Sequence, residues 1–182
     1  MSFDLQPTLR GELVELRPLR SLDFEALYAV ASDPLIWAQH PASDRYRPDV
    51  FREFFDRALA SGGAFAVYDA ATGRMIGSSR YLGYTPDRRE VEIGFTFLAR
   101  SHWGGRYNGE MKRLMLEHAF RFVDSVVFLI GPANIRSQTA IARIGAVHVG
   151  RRANEVGRMS EAYEITKASF STGTDPGPGI QR

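Results

Sequence analysis

The sequence contains no cysteine, which excludes disulfides, thiolate metal sites and a cysteine nucleophile. It has no uninterrupted apolar run long enough to cross a bilayer. Its first residues, MSFDLQPTLRGEL, lack the charged-then-apolar pattern of a secretion signal. A cytoplasmic protein with no membrane partner is the expectation. An excess of one charge is missing too: 23 Lys and Arg against 21 Asp and Glu leave a net +2, so no nucleic-acid surface is implied. The sequence pI of about 9.1 reflects a few spare arginines. The four histidines, His40, His102, His118 and His148, lack metal-ligand spacing, and no metal is expected. No repeat and no dividing linker is visible. The 182 residues therefore predict one domain over 1–170, followed by a Gly/Pro/Ser/Thr-rich flexible tail at 171–182.

What is present is a change of period along the chain. GELVELRPL alternates as a first strand ended near Pro18. A helix capped by Ser21 follows, with Leu22, Phe24, Leu27, Tyr28 and Ala31 on one face, as far as Asp33-Pro34. LIWAQHPASDRYRP reads as a loop with exposed aromatics. A second helix starts at Pro48 and turns Val50, Phe51, Phe54, Phe55 and Leu59 inward. Strands at 64–69, 75–84 and 90–98, joined by DAATGR and TPDRR, predict an antiparallel meander. On the third, Val91, Ile93, Phe95 and Phe97 share one face; Glu90, Glu92, Gly94 and Thr96 share the other.

The period then becomes helical. Met111, Leu114, Met115, His118, Ala119 and Phe122 form a stripe, with Lys112, Arg113, Glu117 and Arg121 facing away. His118 thus reads as a packed group. VVFLI at 126–130 is a central strand, covered on both sides. A helix with Ala140, Ile141 and Ile144 inward follows GPANIRS, and VHVGRR and AYEITKASF read as closing strands. The order predicts a mixed α/β sheet with helices on both faces.

One stretch invites chemistry. Gly104, Gly105 and Gly109 flank Arg106, Tyr107 and Asn108 directly before the long helix. Free N–H groups of a first helical turn, glycines that allow close approach, and a cation suit a phosphate. A capped turn explains the same residues equally well. His102 borders the loop as a surface residue or a phosphate contact. A second helix start, Asn134-Ile135-Arg136-Ser137, follows the next strand; Asn134 also reads as a plain N-cap.

The segments EIGFTFLARSHWGGRYNGEMKRLMLEHAF and NIRSQTAIARIGA resemble the GCN5-related N-acetyltransferase (GNAT) superfamily, in the branch that includes the RimJ and RimL ribosomal-protein acetyltransferases. The likeness runs over about residues 9–170. It implies an α/β (α+β) fold: a mixed, mostly antiparallel sheet of about seven strands, splayed between its fourth and fifth, with helices on both faces. It also implies acetyl-CoA in the gap and coenzyme A as product. By the resemblance, cofactor binding falls to Phe95, Phe97, Trp103, Gly104, Gly105, Arg106, Tyr107, Asn108, Gly109, Asn134, Arg136 and Ser137. The chain departs from the family loop: Arg106 stands where a glycine is usual, Asn108 takes the small-residue position, and the double glycine comes earlier.

Acetyl transfer to an amine needs a base, an oxyanion donor and a proton for the leaving thiolate. Without cysteine, direct transfer in a ternary complex is the expected route. The resemblance implies a backbone N–H near Phe95 for the oxyanion, Ser137 near the sulfur, and early-helix aromatics (Trp37, Tyr46, Phe54, Phe55) roofing the acceptor. Glu92, on the polar strand face, is the candidate proton relay, with a solvated strand residue as its ordinary reading. A family tyrosine acid is replaced by Ile141; neither Tyr107 nor Tyr163 is placed at the sulfur by sequence. The acceptor is expected to be a primary amine: a protein N-terminus, an amino acid or another small molecule. A non-catalytic acyl-CoA-binding module and a generic phosphate-binding domain remain open, as does a homodimer.

Overall fold

The computed structural model describes residues 2–172. Eight strands form one sheet: β1 (Leu9–Arg10), β2 (Val14–Pro18), β3 (Ala64–Asp69), β4 (Met75–Thr85), β5 (Glu90–Leu98), β6 (Ser125–Ile130), β7 (Val147–Ala153) and β8 (Met159–Thr166), in the order β1-β2-β3-β4-β5-β6-β8-β7. Among the described residues five α-helices accompany them: α1 (Phe24–Ala31), α2 (Pro48–Ala60), α3 (Arg106–Ala119), α4 (Ile135–Arg143) and α5 (Lys167–Thr172). The expected α/β architecture is present, with one strand more than anticipated because β1 is only two residues long.

The sheet carries a separate core on each face. Phe51, Phe54, Phe55 and Ala58 of α2 recur with helical spacing and bury against Leu27 and Trp37. On the other face, α3 lays Met111, Met115 and Ala119 over Leu16, Phe65 and Val91. Several expectations change in detail. Leu22 is 91% exposed, because it lies in a 3₁₀ turn before α1 rather than on its inner face. Asp23, not Ser21, organises that turn: its carboxylate accepts the Arg20 N–H at 2.8 Å. Trp37 is 2% exposed, its indole N–H donating to the Ala31 carbonyl at 2.7 Å. Residues 167–172, expected to be strand at their start and tail at their end, are helical, since Ser169 accepts the Thr166 N–H and turns the chain out of the sheet. The rest of the expected tail, 173–182, lies outside the described residues.

The central departure is in β5. Ser78 pairs with Phe97 and Arg80 with Gly94, so Ser79 opposes two residues, Phe95 and Thr96. Phe95 takes φ +51°, the left-handed conformation of a bulge. An inserted residue reverses strand parity. Val91 and Ile93 therefore join the α3 core, while Phe95 and Phe97 join the α1–α2 core. The single face predicted for all four does not exist.

Candidate active site

Strand β5 pairs with β6 in parallel over only three positions, Glu90 with Ser125, Val91 with Val126 and Glu92 with Val127. Beyond Glu92 the strands part: β5 continues along β4, and β6 continues along β8 to Ile130 with Glu161. A wedge opens there, the splay expected between the fourth and fifth strands and here between the fifth and sixth.

The loop after β5 lies at one rim. Gly104 and Gly105 have φ of +106° and +105°, conformations that side chains rarely adopt. An added Cβ at Gly104, Gly105 or Gly109 would meet nothing within 4 Å, so the loop is open above its backbone. Among the described residues no side chain caps α3. The Arg106, Tyr107 and Asn108 N–H groups of its first turn thus have no intrahelical acceptor. Glu110, which would place negative charge beside them, is turned away: its carboxylate accepts the N–H groups of Glu12, Leu13 and Val14 at 3.0, 2.7 and 2.9 Å. A groove of about 250 Å³ runs from Gly109 past Arg113 and Leu116 to Ile144, Gly145 and Phe170. The positive end of a helix, bare amides and an adjoining groove fit a diphosphate with an attached nucleoside.

The other rim is the start of α4. Asn134 is buried and its Oδ1 accepts the Ser137 N–H at 3.2 Å, the helix cap read from sequence. The half-buried Ser137 hydroxyl has no hydrogen-bond partner among the described residues. Arg136 crosses the wedge: its guanidinium donates to the Ile36 carbonyl at 2.8 Å and stacks 4.1 Å from the Trp103 ring centre. Trp103 is anchored by its indole N–H on the Leu98 carbonyl at 3.0 Å. Tyr107 turns its side chain away, its hydroxyl donating to Asp69 Oδ2 at 3.1 Å, beside His102 at 3.2 Å. Thr72 and these two groups hold the Asp69 carboxyl down at about 2. Tyr107 therefore offers the wedge a backbone N–H, and its phenol braces the loop. Arg106 is exposed.

Across the sheet, Glu92 lies against Gly94, whose missing Cβ leaves room: one built there would sit 3.0 Å from Glu92 Oε1. The carboxyl thus leans along β5 toward the bulge. Burial, then the charges of Glu155 and Glu90, pushes it up to about 7. Glu155 belongs to the turn between β7 and β8, an overhang that sequence reading did not anticipate.

Sequence reading also missed Lys112. It is 2% exposed rather than facing solvent. Its ammonium donates to Thr96 Oγ1 and, at 3.2 Å, to Ser79 Oγ, and lies 5.8 Å from the Phe128 ring centre on β6. The bulge is the cause, because it turns Thr96 toward α3. Burial lowers this lysine to about 7. Tyr163 is placed at the first turn of α4, its hydroxyl donating to Gln138 Oε1 at 3.1 Å. Ile141 is buried in the core and supplies no acid. His118 is packed, with Nε2 2.8 Å from the Asp4 carbonyl oxygen. Among the described residues no three acidic or histidine side chains group as a metal site.

A sheet opened beside the one parallel strand pair among the described residues, with an uncapped helix start at the opening, is the arrangement of an acyltransferase of the GCN5-related type. The acetyltransferase (GNAT) domain model matches residues 14–147, and the chain belongs to this family of N-acetyltransferases. Three solved structures illustrate the likeness. A GCN5-related N-acetyltransferase from Brucella melitensis is 21% identical, with 91% of this chain and 81% of that one covered and a TM-score of 0.76. Mycobacterium smegmatis RimJ, in complex with CoA-disulfide, is 19% identical over 90% and 88% of the two chains, TM-score 0.69. Spermidine N-acetyltransferase from Vibrio cholerae, in complex with CoA and spermine, is 15% identical over 88% and 99%, TM-score 0.68. No curated protein matches the sequence significantly.

Proposed function

We propose that residues 1–170 form one domain that moves an acetyl group from acetyl-CoA to a primary amine by direct transfer in a ternary complex. The carrying observation is the wedge beyond Glu92, flanked by the uncapped α3 start. Acetyl-CoA supplies its acetyl group as a thioester, whose C–S bond breaks as the C–N bond to the amine forms. The Arg106–Asn108 amides, with Gly104 and Gly105 shaping the loop, hold the diphosphate; Arg106 and Arg136 add positive charge. Phe95, Phe97 and Trp103 wall the wedge, and Asn134 sets the α4 start. Glu92 takes the proton that the amine loses: a carboxyl near 7 is a far better match to an amine than one near 4. The Ser137 hydroxyl faces the leaving sulfur and supports its protonation. The resemblance to the RimJ/RimL branch favours a peptide N-terminus as acceptor.

The test mixes the protein with acetyl-CoA and a panel of amines and peptides, and follows free thiol release. Acceptor-dependent release supports the reading. Calorimetric binding of CoA without release on any acceptor would identify a binding module instead.

A further inference from the structure

On the α1–α2 face of the wedge, two arginines sit among aromatic rings without an anion. Arg80 is 4% exposed, and its Nε is buried with no hydrogen-bond partner among the described residues. Its guanidinium carbon lies 4.3 Å from the Phe95 ring centre and 5.6 Å from that of Phe54. Arg45, from the loop before α2, stacks 4.4 Å from Phe54 and 5.9 Å from Phe95. Its one side-chain polar contact among the described residues is His40 Nε2 at 3.4 Å. Both guanidinium groups thus converge on the same two rings, one of them the bulge residue beside Glu92. Neither forms an ion pair among the described residues. Glu155 and Glu92 act on Arg80 only at longer range; on Arg45 the charge of Arg80 acts first, with Arg57 on the same side and Asp44 and Glu155 opposing it.

A guanidinium keeps its charge when buried, and its planar fork matches a carboxylate. A buried charged donor left unpaired is costly. The natural resolution is an anion brought in from outside. Just beyond lie the carboxyls of Glu92 and Glu155, which suit the opposite charge. The cleft is therefore bipolar: cationic at Arg80 and Arg45, acidic toward the overhanging turn.

We infer that the acceptor is an aminocarboxylate, whose carboxylate pairs with Arg80 and Arg45 while its amine approaches Glu92. This rests on the acetyl-transfer reading and narrows its substrate class. It also sets the cleft apart from one built for a polyamine, which would bring only positive charge to two arginines. The shared chemistry has two sources: a free amino acid, or a peptide with an acidic side chain next to its N-terminus.

The experiment measures thiol release with matched pairs at equal free-amine concentration: amino acids and their amides, N-terminal Asp or Glu peptides and their Asn or Gln counterparts, and spermidine. Carboxylate members of at least one pair class should be better by roughly tenfold to hundredfold in kcat/KM, mostly through KM. The two pair classes identify the source. Arg80→Met and Arg45→Gln should each shrink that ratio at least fivefold, and Arg80→Lys should shrink it less than Arg80→Met. Arg45 lies on a loop, so its variant keeps the test alive if Arg80→Met does not fold. Equal rates within pairs, a preference for amides or spermidine, or a ratio unmoved in the folded variants would overturn the inference while leaving acetyl transfer standing. So would CoA binding by calorimetry with no carboxylate accepted. Failure to bind CoA would instead remove the transfer reading itself.

Discussion

A carboxyl near neutrality serves an amine only where it is deprotonated as the amine arrives. Glu92 is raised to about 7, so its basic form prevails above that pH and is lost as pH falls through it. The kcat/KM profile should therefore rise through about pH 7. Glu92→Gln should lower the plateau about a hundredfold and remove that limb; a variant that keeps the same limb would exclude Glu92 as base. Ser137 is separable from the cap beside it. Asn134 engages the Ser137 N–H, not its hydroxyl, so Ser137→Ala should slow kcat while leaving CoA affinity and melting temperature nearly unchanged. Asn134→Ala should cost about 1 kcal/mol of stability by chemical denaturation. Single residues were the least legible scale in the sequence. The Asn134 cap could be read from spacing, because capping is local. The burial of Arg80 and Lys112 and the reach of Glu155 depend on chain segments far apart in sequence.

At the scale of elements, the helix and strand periods were legible and the bulge was not. Strict alternation through EVEIGFTFL looks unbroken, and only Gly94 ahead of Phe95 hints at an irregular backbone. The consequence extends to α3, where the inverted Thr96 gives the buried Lys112 a hydrogen-bond partner. That burial has a testable cost. Lys112 is lowered to about 7 from an ordinary 10.5, so the unfolded chain binds the extra proton between those values. Stability should rise with pH across that window, the penalty being full at and below pH 7. Lys112→Met should accordingly stabilise the protein by roughly 2–4 kcal/mol at pH 7 in urea unfolding, and by little at pH 10.5. An equal gain at both would contradict the buried-charge account. At the start of α3, Gly105→Asp adds a carboxylate where the diphosphate is proposed and forces a side chain to φ +105°. CoA affinity by calorimetry should fall at least tenfold in the folded variant; unchanged affinity would remove that loop from the site.

The whole molecule is two cores on one sheet, and that much followed from hydrophobic periodicity and element order. The splay did not; it entered through a family likeness, since no local pattern tells a strand where its partner leaves it. In the structure the wedge and the bare amides of α3 lie where β5 and β6 part, and the groove runs from there along α3, so the ligand is expected to bridge both halves. Saturating CoA, at a hundredfold its dissociation constant, should then stabilise the folded chain by about 2.7 kcal/mol, seen as a higher melting temperature. The most direct measurement is a crystal structure of the CoA complex. The account predicts a diphosphate within hydrogen-bond reach of the Arg106, Tyr107 and Asn108 amides, with the sulfur between β5 and the start of α4. A diphosphate bound away from the α3 start, with the wedge closed by packed side chains, would contradict it.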